Sequence, residues 1–76
     1  MSQMIASQLR TGRVFGDREA GEYVYMPAGE VGLPEPLFIF ENGGRREDVP
    51  LAEALRLIRV LSLRPVRHPR LGEFSC

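Results

Sequence analysis

Leu37-Phe38-Ile39-Phe40-Glu41-Asn42-Gly43-Gly44-Arg45-Arg46-Glu47-Asp48-Val49-Pro50-Leu51-Ala52-Glu53-Ala54-Leu55-Arg56-Leu57-Ile58 carries a strand, a tight turn, a second strand and the opening of a helix in one run. Leu37 to Glu41 is the densest strand signal in the chain, four large apolar residues in succession. Asn42-Gly43 follows, the leading dipeptide for a two-residue hairpin turn. The return strand, Arg45 to Val49, is charged almost throughout, as suits a sheet edge that must resist pairing with another chain. Pro50 then stands near the first position of a helix, with Glu53 in the first turn, where an acid complements the helix dipole. Leu51, Leu55, Ile58 and Leu61 or Ser62 recur at helical spacing, Ala54 widens that stripe, and Arg56 and Arg59 fall opposite it. Pro65 halts the pattern, so the helix is expected over residues 50–64.

Upstream of this run, Arg13-Val14-Phe15 and Glu22-Tyr23-Val24-Tyr25-Met26 read as a second hairpin about the polar loop Gly16 to Gly21. Val24 and Met26 share one face and are expected to point inward, which leaves Tyr23 and Tyr25 for an edge or an interface, the reverse arrangement staying open because tyrosine rings also bury well. Residues 1–12 read as a short helix or a flexible lead, with Met1, Met4 or Ile5, and then Leu9 at helical spacing and Gly12 as a left-handed cap. Pro27 to Pro36 holds three prolines and reads as a rigid irregular connection docked by Val31 and Leu33. Residues 65–76 form a basic tail without periodic pattern.

Together these elements predict one small α+β domain spanning residues 1–76. Two hairpins over residues 13–49 make a short antiparallel sheet of three or four strands, and one C-terminal amphipathic helix packs across it. Leu37, Ile39, Leu51, Leu55 and Ile58 are expected at the centre of the core. Phe38 and Phe40 then occupy a second sheet face that one helix cannot cover, and exposed aromatic patches of that kind mark interfaces.

The composition, 43% hydrophobic and 26% charged in 76 residues, is that of an ordinary globular domain. A core this size is thin and is usually supplemented by a disulfide, a metal or a second subunit. One cysteine, Cys76, and one histidine, His68, supply neither a disulfide nor the ligands of a structural zinc site. No metal or cofactor is therefore expected, and a homo-oligomer or a protein partner is the expected supplement. No apolar run is long enough to span a bilayer, and the first residues lack the basic start of a signal peptide, so the expected location is cytoplasmic with no membrane partner.

Nothing in the sequence assembles a nucleophile with a base. His68, between Arg67 and Pro69, reads as a solvated surface group, and Cys76 as an incidental thiol. Asp17, Glu19 and Glu22 read as a solvated hairpin tip. Gly43-Gly44-Arg45-Arg46 lacks the lysine and following helix of a phosphate-binding loop. No catalytic or cofactor-binding residue is assigned, and an enzymatic role ranks last.

All ten basic residues are arginine, a bias expected of GC-rich coding sequence. They are unevenly spread: two arginines face six acids between residues 21 and 50, whereas five face two between residues 51 and 76. Such polarity suits head-to-tail or electrostatically complementary association, and equally an arginine surface for a phosphate backbone. The leading reading is thus a non-enzymatic binding or regulatory protein acting through a protein interface, with Phe38, Phe40, Tyr23 and Tyr25 as candidate contacts. The second is a nucleic-acid binder using Arg56, Arg59, Arg64, Arg67 and Arg70. It ranks second because the chain as a whole is neutral.

Overall fold

The computed structural model describes residues 2–75; Cys76, and with it the reading of an incidental thiol, lies outside them. The chain runs α1 (Ser2–Arg10), β1 (Phe15–Asp17), β2 (Glu22–Tyr25), a 3-10 turn (Ala28–Glu30), β3 (Phe38–Asn42), β4 (Arg45–Val49), α2 (Leu51–Val60) and β5 (Arg64–Pro65). All neighbouring strands are antiparallel, in the order β4-β3-β2-β1-β5. The α+β class stands, but the sheet has five strands rather than three or four, because the tail contributes β5 beside β1.

The β3–β4 hairpin turns through Gly43 and Gly44, both with positive φ (58° and 90°), while Asn42 remains in the strand opposite Arg45. The turn is therefore shifted by one residue from Asn42-Gly43, and Gly-Gly meets its backbone demand at no steric cost. Gly12, with φ 95°, ends α1 as expected. Helix α2 is shorter than residues 50–64: Pro50 is its N-cap, and Ser62 adopts φ 55° just past the end. The Leu63 N–H then reaches back to the Ile58 carbonyl at 2.9 Å, a closure that caps the helix before Pro65 has any part in it.

Strand register decides which side chains meet the helices. Val24 lies opposite Phe40, and Tyr25 opposite Ile39. Val24, Met26, Phe38 and Val49 consequently share the face that packs on Leu9 of α1 and on Ala54 and Ile58 of α2. Phe38 is fully buried there and Phe40 half-buried against the same cluster, so the assignment of Leu37 and Ile39 to the helical core is inverted. Ile39 belongs to the opposite face, and Leu37 is 41% exposed. Alternation fixes only that neighbours point apart; with apolar residues at both parities, the partner strand settles which set goes where.

The opposite face carries Val14, Tyr23, Tyr25 and Ile39, all buried, with Val66 packed on them. Residues 66–75 cross it as an irregular strap. Its backbone is tied at Val66 N to the Val14 carbonyl (3.1 Å), at Glu73 by accepting the Val14 N–H (3.0 Å), and at Ser75 N to the Gly12 carbonyl (2.7 Å). The connection from Pro27 to Pro36 also departs from expectation. Val31 and Leu33 do not dock, being 54% and 47% exposed. The loop is held instead by buried Pro36 and by Glu30, whose carboxylate accepts the Leu37 N–H at 2.8 Å.

Candidate functional site

The strap brings a polar cluster into the core. His68 is 4% exposed and Glu41 6% exposed, which corrects the reading of His68 as a solvated group. Its position follows from a tight turn: the His68 and Gly72 backbones exchange hydrogen bonds at 2.8 and 3.0 Å. That turn aims the N–H groups of Arg70 and Leu71 at His68 Nδ1, at 3.1 and 3.3 Å. With Nδ1 accepting from two donors, the ring carries its proton on Nε2 and donates it to Glu41 Oε1 at 2.8 Å. The Tyr25 hydroxyl donates to Glu41 Oε2 at 2.6 Å, and Arg70 reaches the same oxygen at 3.2 Å. Arg46 lies 3.5 Å from Glu41 and donates to the Tyr25 hydroxyl at 3.4 Å. The imidazole ring sits against the rings of Tyr23 and Tyr25, with centroids 4.7 and 5.5 Å away.

Burial pushes the Glu41 carboxyl up, but hydrogen bonds from Tyr25 and His68 and the charge of Arg70 outweigh it, holding the group below the usual carboxylate range. Tyr25 moves the other way, from 10.0 to about 12, through burial and the carboxylate it faces. Chemically the cluster is closed on itself. Neither nitrogen of His68 retains a lone pair directed at solvent, and each Glu41 oxygen has a donor within the chain. Such an arrangement fastens the strap to the sheet.

Glu41 was legible as a singular residue, an acid in a strand otherwise apolar, on the same parity as Ile39. A buried carboxylate needs donors, and that need was the available pointer to His68, 27 residues further on.

Of the candidate interface residues, Phe38, Tyr23 and Tyr25 are buried by their own chain, and only Phe40 is partly open. The candidate arginines are all exposed but do not form one surface free of acids. Arg56 pairs with Glu53 across one helical turn, its Nε donating at 2.8 Å; Arg67 lies 3.5 Å from Glu73; and Arg70 pairs with Glu41. Among the described residues, Arg59 and Arg64 make no ion pair with an acid.

A second feature lies on the outside of the helical layer. Ile5 of α1 and Ala52, Leu55 and Ile58 of α2 line a groove of about 520 Å³ that ends at Ser62 and Leu63, with Arg56 and Arg59 on its walls. A depression of about 360 Å³ lies beside it, between the prolines Pro34, Pro36 and Pro50, with Arg10 and Glu35 at its sides. Ala52 lines both.

No family model, curated protein or solved structure matches the chain.

Among the described residues, no cluster of three or more histidine, cysteine or acidic side chains is placed to hold a metal ion, and no helix is long and apolar enough to cross a membrane.

Proposed function

We propose that the protein is a non-enzymatic interaction module whose working surface is the groove between α1 and α2. The observation that carries this reading is the groove itself: apolar side chains of Ile5 and Leu55, only partly buried, are presented beside Arg56 and Arg59. A surface with an apolar floor and a cation at its rim, Arg59, which makes no ion pair among the described residues, fits an apolar protein segment bearing an acidic residue, the floor supplying affinity and the charge orientation. The strap cluster supports the same ranking, because its titratable groups are engaged with one another. The internal pairing of Arg56, Arg67 and Arg70 lowers the charge left for a phosphate backbone, and the nucleic-acid reading stays second.

Selection of peptides from a random display library on the immobilised protein tests this. Enriched sequences should combine aliphatic and acidic residues and should lose binding when Leu55 is changed to Asp, with circular dichroism confirming that the variant stays folded. Absence of any enriched peptide, together with duplex DNA binding that falls steeply between about 50 and 200 mM salt, would overturn the reading in favour of nucleic acid.

A further inference from the structure

The groove has a complementary shape on the same molecule. The loop following the 3-10 turn holds three exposed aliphatic residues, Val31 (54%), Leu33 (47%) and Leu37 (41%), together with the acid Glu35. Its tether at Glu30 to the Leu37 N–H and its prolines keep this apolar loop ordered without burying it. An ordered loop that presents aliphatic side chains outward loses little further entropy on being covered. The groove carries the opposite charge. Arg59 and Glu35 each make no ion pair among the described residues, and the two depressions they line are joined through Ala52. The end of the loop at residues 34–37 therefore adjoins the groove.

From this juxtaposition we infer that the occupant of the groove is the loop of a second copy of the chain. The inference rests on the interaction-module reading above and names its partner. A patch that holds both a receptor and its ligand, adjacent and of opposite charge, is self-complementary, and two copies related by a two-fold axis satisfy both contacts at once. Each copy places Leu33 and Val31 over Ile5 and Leu55 of its partner, and Glu35 meets the partner's Arg59.

The test is a charge-exchange experiment read by sedimentation equilibrium. The unmodified protein should show a concentration-dependent dimer that weakens as salt is raised. Glu35→Arg alone sets Arg against Arg59 at both contacts, and Arg59→Glu alone sets Glu against Glu35. Each should weaken the dimer by about tenfold or more. Mixing the two variants should restore it, because every contact in the mixed pair is again between opposite charges. Both positions are exposed, so the fold is not at stake. A protein that stays monomeric up to millimolar concentration would overturn the inference, and so would a dimer indifferent to both reversals or single reversals that mixing fails to rescue. Binding of selected peptides by a monomeric protein would sink the second-copy assignment while leaving the groove's role standing.

Discussion

The two faces of the sheet are covered by different means. One is roofed by α1 and α2, and its contacts are apolar throughout: Leu9, Ala54 and Ile58 on Val24, Met26, Phe38 and Val49. The other is crossed by the strap, and there the aliphatic contribution is small: Val66 packs on the buried cluster of Val14, Tyr23, Tyr25 and Ile39, beside the His68 ring against the two tyrosines. A helix satisfies its own backbone and needs from its neighbour only a surface to bury. An irregular segment brings unsatisfied N–H and C=O groups with it and is held only if something receives them. Here the receivers are the backbone of residues 12–14 and the side chain of His68, which in turn must be satisfied by Glu41.

Truncation on the two faces should separate their chemistry. The largest effect is expected at Phe38, fully buried under the helices: Phe38→Ala should cost about 3–5 kcal/mol, transfer and cavity terms together. Urea unfolding measures it, and a loss under 1 kcal/mol would mean that the helices do not pack there.

Next is Glu41→Leu, which keeps the side chain's bulk but strands the Tyr25 hydroxyl and the His68 Nε2–H. About 3 kcal/mol is expected, with the strap more open to proteolysis than the helical layer. The sign of the pH dependence adds a second readout. The Glu41 carboxyl titrates lower in the folded chain than in the unfolded one. Its contribution is therefore present above the ordinary carboxylate range and is lost as pH falls through the depressed folded value. Tyr25 contributes below pH 10.0 and loses that contribution as pH rises toward about 12. Denaturant midpoints of Glu41→Gln should accordingly fall less steeply on acidification than those of the unmodified protein. Equal slopes would show that the clasp carries no weight.

The smallest effect is at the hairpin that belongs to both faces. Gly43→Val forces a β-branched residue to φ 58° with open space around it, so backbone strain alone should cost on the order of 1–2 kcal/mol. An unchanged midpoint would place the turn elsewhere.

The same contrast explains what could be read from the amino acids. The β3–β4 hairpin, the stripe of α2, the cap at Gly12 and the inward Val24 and Met26 were legible because each rests on local spacing or on a local backbone demand. The parity of β3 was not, since Leu37 with Ile39 and Phe38 with Phe40 are equally apolar and the choice rests with β2. The strap left no periodic trace. Its ordering depends on partners between 27 and 63 residues away, Glu41 for His68 and Gly12 for Ser75. The groove and its loop were half visible: Arg56 and Arg59 stood out, but Val31 and Leu33 read as anchors for the loop and proved to be its exposed surface.

The strap also sets an order of events for a chain made from its N-terminus. The helical face is complete once Leu63, the last residue of its buried cluster, is in place, whereas the tyrosine face needs residues 66–75, which close it against residues 12–14. Loop closure grows only with the logarithm of length, so a ring of some sixty residues costs only about 1 kcal/mol more to shut than one of fifteen. Distance along the chain thus adds little to the thermodynamic cost of the strap, yet the burial of Val14, Tyr23, Tyr25 and Ile39 is the part of the core that depends on joining the two ends of the chain.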